Sequence, residues 1–275
     1  MFASSRRNAA RAALGLAAAG AAMMTGARPA AAQNVDDIIK KGKLVVAIDT
    51  STAPYAALGA TMEPEGFDID LARMMAKSLG VPVEFVTVNS PGRIPALLTN
   101  RVDVVVSIFS ITPERAQQVA FSIPYGGQSS VLLAPKSLAV KSVGDLVGKK
   151  VALTRGAMED IVLTAEAKKF PGITLLRFDD GPSVTQAMLS GQVDAMGGGD
   201  FGDFGDIYLK KSATGEQFEL NFPLHAFHYG IGMRRGNPDL LHWVNTFIYY
   251  IKNDNSLEAL SQKWRKAPLP SLPVF

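Results

Sequence analysis

The 275-residue sequence predicts an α/β fold made of two successive βαβ units. Short apolar, β-branched runs alternate with helical stretches, and the alternation restarts in mid-chain after Val131-Leu132-Leu133. The chain from residue 33 onward, about 243 residues, is long enough for two cores of ordinary domain size.

Residues 1–32 read as a cleaved export signal and stand outside the fold. Ser5-Arg6-Arg7 leads into an alanine-, leucine- and glycine-rich run from Ala9 to Met24, followed by Ala30-Ala31-Ala32 before Gln33. The paired arginines resemble a twin-arginine signal, but Asn8-Ala9-Ala10 replace the usual bulky residues, so the ordinary secretory route stays open. The run falls short of the ~20 residues of a spanning helix and is alanine-rich, which favours cleavage over anchoring. Arg6, Arg7, Arg11 and Arg28 leave with it, so the 28 basic residues become 24 against 25 acidic ones. A near-neutral product gives no footing for nucleic-acid or anionic-membrane binding. The absence of cysteine excludes disulfides, thiolate metal sites and a cysteine nucleophile. The expected location is the periplasm.

In the first unit, Leu44 to Ile48 is an apolar strand, Phe67 to Leu79 a helix, Val83 to Val88 a strand, and Ile94 to Thr99 a helix. Val102 to Ile108 is a strand whose β-branched run is broken only by Asp103. Thr112-Pro113-Glu114 then reads as a helix start: a capping threonine, proline at the first helical position and an acid in the first turn. Arg115 lies one turn in, where a guanidinium fork can grip a carboxylate; an ion pair with Glu114 or Asp103 is the plainer alternative.

In the second unit, Val143 to Val147 is a short helix, Val151 to Leu153 a strand, Met158 to Phe170 a helix, Thr174 to Phe178 a strand, Val184 to Ser190 a helix and Val193 to Met196 a strand. Gly197 to Asp206 is glycine-rich, a turn or a place of close backbone approach, and lacks the lysine and hydroxyl of a phosphate loop. After the apolar segment Ala226 to Met233 come helices from Pro238 to Lys252 and from Leu257 to Trp264, with Trp243, Phe247, Tyr250 and Trp264 as core anchors. The proline-rich tail from Pro268 to Pro273 cannot continue a helix and is expected to lie extended.

Gly66-Phe67-Asp68-Ile69-Asp70-Leu71-Ala72, Ile94-Pro95-Ala96-Leu97, Ile111-Thr112-Pro113-Glu114-Arg115-Ala116, Phe121-Ser122-Ile123-Pro124-Tyr125, Leu146-Val147-Gly148-Lys149-Lys150-Val151, Gly191-Gln192-Val193-Asp194-Ala195 and Lys263-Trp264 occur in that order. With these motifs the chain resembles the family 3 extracellular solute-binding proteins, the polar amino-acid binding proteins of bacterial ABC importers. The resemblance implies a type II periplasmic binding fold: two α/β lobes joined by two crossing strands, near Ser130 to Leu133 and Phe227 to Ile231. It places 33–130 and 231–275 in the first lobe and 131–230 in the second. It further implies a small zwitterion caught by lobe closure, delivery to an ABC permease in the inner membrane, a monomer, and no cofactor.

Carried over residue by residue, the resemblance assigns Arg115 to the ligand's α-carboxylate with Ser110 beside it, and the carbonyl of Ile108 to the α-ammonium. The turn Arg155-Gly156-Ala157-Met158 would complete the carboxylate cage with free amides. Asp200, one residue beyond the usual place for an acid, would pair with the ammonium. Asp49, Thr52, Tyr55 and Ser90 would line the side-chain end, where Thr52 and Ser90 replace the bulky or aromatic residues of many members. Such a pocket, with Arg155 as a second cation, suits a polar or acidic ligand better than a long basic or aromatic one. If Arg155 points to solvent, that preference lapses.

Some relatives of this fold are periplasmic cyclohexadienyl dehydratases, and Glu159 is the acid such an enzyme would use; an acid in a first helical turn also simply favours the dipole. A ligand sensor read by a membrane receptor is the third reading. His225, His228 and His242 do not form a triad or a metal site.

Overall fold

The structure, a computed structural model, describes residues 34–200 and 217–273. The expected export signal and the glycine-rich stretch beyond Asp200 lie outside the described residues.

Helix α1 (Val35–Lys41) opens on a reciprocal cap between Asn34 and Asp37. Strand β1 (Leu44–Ile48) follows, then a small three-stranded sheet of β2 (Ser51–Thr52), β3 (Ala56–Leu58) and β4 (Pro64–Glu65) that the sequence did not announce. Helix α2 (Phe67–Ser78), β5 (Val83–Thr87), a 3₁₀ turn over Ser90–Gly92, α3 (Arg93–Leu98), β6 (Val104–Val105), α4 (Pro113–Ala116) and β7 (Val119–Phe121) complete the first passage through lobe 1. Its sheet has the order β5-β1-β6-β13-β7, with β1 parallel to β5 and β6. Along β1, Leu44, Val46 and Ile48 enter one core and Val45 and Ala47 the other, so the strand is buried on both faces, as parallel strands are.

The chain leaves lobe 1 on β8 (Gly126–Pro135) and returns on β12 (Phe218–Tyr229), its antiparallel partner from Phe218↔Pro135 to Tyr229↔Gly126. Between them lie β9 (Lys150–Thr154), α5 (Met158–Ala167), β10 (Thr174–Phe178), α6 (Gly181–Leu189) and β11 (Ala195–Gly199). The second sheet runs β10-β9-β11-β8-β12. The division expected at residues 130 and 231 thus falls within β8 and just after β12. β13 (Gly232–Arg234) then inserts between β6 and β7. The apolar segment Ala226 to Met233 thus spans the end of β12 and all but the last residue of β13, parted at Gly230 and Ile231; a Cβ added at Gly230 would meet the Ser122 carbonyl at 2.9 Å.

α7 (Pro238–Asn253) and α8 (Ser256–Trp264) pack back on lobe 1. Leu240, Val244, Phe247, Ile248 and Ile251 form the buried stripe of α7, with Trp243 stacked on Phe247 at 5.8 Å. Tyr250 departs from the core-anchor expectation: it lies off that stripe and is 66% exposed. The tail runs without regular structure over lobe 1, with Leu269 and Leu272 against the core and the Ser271 carbonyl 3.2 Å from His228 Nε2.

Candidate functional site

Both sheets aim the carboxyl ends of parallel strands at one cleft, the place where α/β sheets bind ligands. From lobe 1, Asp49 follows β1 and Ile108 and Ser110 follow β6; from lobe 2, Thr154 ends β9, Gly199 ends β11, and Met158 and Gly181 open α5 and α6. These residues, with Ser51, Thr52, Ser90, Arg93, Gln128, Ala157, Glu159 and Phe227, line a cavity of about 50 Å³.

The loop from Ser107 to Thr112 is held from both sides. Ser110 bridges Tyr229, and the Ile111 amide donates to the His228 carbonyl at 3.0 Å, which ties the loop to the returning strand. Ile108 has φ 43°, a left-handed conformation that costs a β-branched residue about 1–2 kcal/mol. Its amide donates to Asp68 Oδ2 at 3.0 Å, and Asp68 also accepts from Tyr125 Oη at 2.9 Å. Burial raises the Asp68 carboxyl to about 7 against the pull of those bonds.

Arg115 sits where the sequence places it. Thr112 caps α4 by accepting from the Arg115 amide at 3.3 Å, and Pro113 follows in the first position. The guanidinium is 5.2 Å from the Phe109 ring centroid, and Nη1 donates to the Ser110 carbonyl at 2.9 Å. Nη2 crosses the cleft to the Gly156 carbonyl at 2.8 Å. Burial, then the nearby charge of Arg93, lowers its pKa to about 10. The simple ion pair with Asp103 does not form: Asp103 accepts from Lys41 Nζ at 2.6 Å and from the Val45 amide at 2.8 Å.

Across the cleft, the turn before α5 departs from the expected cage. Gly156, at φ 68°, donates its amide to Asp160 Oδ2 at 2.9 Å, and the Ala157 amide donates to the Thr154 carbonyl at 3.1 Å. Asp160 is held in turn by Arg177 Nε at 2.8 Å. The amides of Gly156 and Ala157 are therefore spent on the turn itself, and what Gly156 offers lobe 1 is its carbonyl. The Met158 amide, one residue on, makes no hydrogen bond among the described residues and is the free donor of this turn.

Three more of the expected residues lie off the cavity wall. Arg155 points outward, half exposed, with Nε 3.3 Å from Asp179 and Nη2 donating to the Arg177 carbonyl at 3.2 Å, while its amide donates to the Phe178 carbonyl at the end of β10 at 2.8 Å. Asp200 is not among the lining residues: Oδ2 accepts from the Ser129 amide at 3.1 Å, and the wall position is taken by Gly199. Tyr55 is fully buried in an aromatic cluster, edge-on to Phe67 and Tyr229, and donates to Gln128 Oε1 at 2.8 Å, so it supports a wall residue without being one. Asp49, Thr52, Ser90, Ile108, Ser110, Ala157 and Met158 do line the cavity, whereas Arg115 and Gly156 are bonded to each other and are not among its lining residues.

The sequence reading missed Arg93, Ser51, Gln128, Thr154, Gly181, Gly199 and Phe227, and met Glu159 only as a would-be catalytic acid or a residue favouring the dipole. Arg93 left a trace: a cation at the first position of a helix opposes the dipole, so it has to be held there for another reason. Glu159, 4% exposed, is electrostatically linked to both Arg93 and Arg115. The cleft thus combines two buried guanidiniums, two carboxylates and several hydroxyls, a set able to neutralise both ends of a small zwitterion. Among the described residues no group of three metal-ligating side chains exists.

Comparison with known proteins agrees with this architecture. The family model described as bacterial extracellular solute-binding proteins, family 3, matches residues 44–267. The L-cystine-binding protein TcyJ of Escherichia coli (strain K12) is 28% identical over 236 residues, covering 84% of this chain and 85% of its own length. Among solved structures, a mutant of ArgBP from T. maritima is 30% identical with a TM-score of 0.77, over 85% of this chain and 99% of that one. An ancestral amino acid-binding protein described as a precursor of cyclohexadienyl dehydratase is 33% identical with a TM-score of 0.74, over 84% and 99% of the two chains.

Proposed function

Because the chain belongs to the bacterial extracellular solute-binding proteins of family 3, we propose that its cleft captures an amino acid or a similar small zwitterion in the periplasm and delivers it to an ABC permease in the inner membrane. The observation that carries this reading is Arg115: buried in lobe 1, it bonds across the cleft to Gly156 of lobe 2. A group that grips a carboxylate and also spans the two lobes couples binding to closure. Two of its five N–H donors are used on Ser110 and Gly156, which leaves three for a ligand.

In this mechanism the lobes part about the paired strands β8 and β12 to admit the ligand and then close on it. The α-carboxylate docks on Arg115 and Ser110, and closure brings the Met158 amide to it. The α-ammonium is met by the Ile108 carbonyl and the Glu159 carboxylate, with Asp200 left to hold the crossing strand. Buried charges are then paired, as the several-kcal/mol penalty for an uncompensated one demands. The protein works as a monomer, released by an export signal within residues 1–32.

The test is a thermal-shift screen of ligand-stripped protein against the common amino acids and related carboxylates. A ligand of Kd ~1 μM at ~1 mM adds about 4 kcal/mol, which raises Tm by on the order of ten degrees. The expected result is one such shift confined to one class of amino acid. A shift with carboxylates that lack an amine and with no amino acid would overturn the reading. Glu159 is the buried carboxyl a dehydratase would need, so prephenate turnover is assayed on the same sample, and none is expected. Permease and ATPase genes beside this one would favour import over a sensory role.

A further inference from the structure

Arg93 is the least satisfied charge in the cleft. Its side chain is almost wholly buried, it lines the cavity, and its Nε has no hydrogen-bond partner among the described residues. Its ion pair is with Asp49, whose Oδ2 lies 3.8 Å from Nη2, beyond hydrogen-bond distance. Asp49 in turn is only half used: Oδ1 accepts from the Ser51 amide at 3.1 Å and from Ser51 Oγ at 2.6 Å, while Oδ2 faces Arg93 across that gap. Unfilled donors therefore stand beside an unfilled acceptor, both in the wall of the cavity. A buried guanidinium without hydrogen bonds is costly unless something completes it.

We propose that Arg93 and Asp49 together form the side-chain subsite of the cleft, and that they select an amino acid whose side chain is neutral and carries an acceptor and a donor side by side, as a primary carboxamide does. This rests on the amino-acid-capture reading above. The carbonyl of such a group accepts from Arg93 while its NH₂ donates to Asp49 Oδ2, filling the gap between them. The pair is also net neutral. A ligand carboxylate placed there would lie against Asp49, and a ligand cation would lie against Arg93. Arg93 and Arg115 flank the same Phe109 ring, at 5.9 and 5.2 Å from its centroid, so one small ligand can hold its α-carboxylate on the second and its side chain on the first. Arg93 thereby takes the place that Arg155, turned to solvent, leaves vacant, and the preference moves from acidic to neutral polar ligands.

The experiment is calorimetric titration of ligand-stripped protein with glutamine, asparagine, glutamate, lysine and arginine, for the wild type, Arg93→Leu and Asp49→Asn. The wild type is expected to bind glutamine or asparagine at least tenfold more tightly than the charged amino acids. Arg93→Leu frees Asp49 and is expected to move the preference to lysine or arginine; Asp49→Asn frees Arg93 and moves it to glutamate. A wild type that prefers a charged side chain, or variants that keep the wild-type ranking, overturns the subsite while capture stands. If no amino acid binds any of the three, the capture reading itself fails and the subsite with it. Should Arg93→Leu not fold, the wild-type ranking and Asp49→Asn decide.

Discussion

Arg115→Ala separates binding from folding in a way the structure makes quantitative. In affinity, removing one partner of a buried, hydrogen-bonded charge pair costs about 2–5 kcal/mol, so Kd should weaken by roughly 30- to 5000-fold. In stability the change should be much smaller. The side chain makes two charged-donor hydrogen bonds, to Ser110 and Gly156, each contributing about 1.5–3 kcal/mol. Against this stands the burial of the cation, which lowers its pKa to about 10. Deleting the residue removes both terms, and the Gly156 carbonyl regains water as the lobes part. The net loss should stay within about 2 kcal/mol. Calorimetric titration with the best ligand of the screen measures the first quantity and denaturant unfolding without ligand the second. Arg115→Lys keeps the charge but loses the planar fork, so it should fall between wild type and alanine. An affinity loss below tenfold for Arg115→Ala would refute the carboxylate grip; an equal collapse of stability would make Arg115 a structural residue.

The wall acids can be ranked the same way: Glu159→Gln should weaken binding at least tenfold, whereas Asp200→Asn and Arg155→Ala should each stay within about threefold, and the reverse order would return the ammonium to Asp200. Asp68 should leave a pH signature. Its carboxyl goes from an ordinary 3.8 to about 7 on burial, so between about pH 4 and 7 the folded chain holds a proton that the unfolded chain has released. Stability therefore falls as pH rises through that window, and Tm should drop more from pH 5 to pH 8 in the wild type than in Asp68→Asn; parallel curves would contradict the shift. Asp200 is raised too, but it is present in both proteins and cancels, while the depression at Asp70 acts below this window. Gly66→Ala should destabilise by about 3 kcal/mol or more in denaturant titration, because φ is 138° and the new Cβ would run into the Tyr55 carbonyl.

Local signals in the chain were enough for most of lobe 1 and lobe 2. β1, β5, β9, β10 and the helices after them announce themselves because each buries a continuous apolar run or stripe, a property of neighbours in sequence. The small β2-β3-β4 sheet was not legible, since two- and three-residue strands carry no period. Nor was the split of the return segment into β12 and β13, which join different sheets, with Gly230 packed against Ser122, 108 residues earlier.

The site divides along the same line. By itself the sequence determined the family, the two-unit α/β plan and the placement of Arg115, because Thr112, Pro113 and Glu114 write a helix start in three consecutive residues. Only the tertiary structure decided which side chains face one another. Arg155 and Asp200 were assigned by their position along the chain, yet the turns that carry them spend one on solvent and the other on Ser129. Arg93 and Asp49 lie 44 positions apart, and their pairing arises only because the segments after β1 and β5 come together at one edge of the cleft. Whether a charge is buried, and what lies opposite it, is a property of packing between lobes and strands, and no local pattern encodes it.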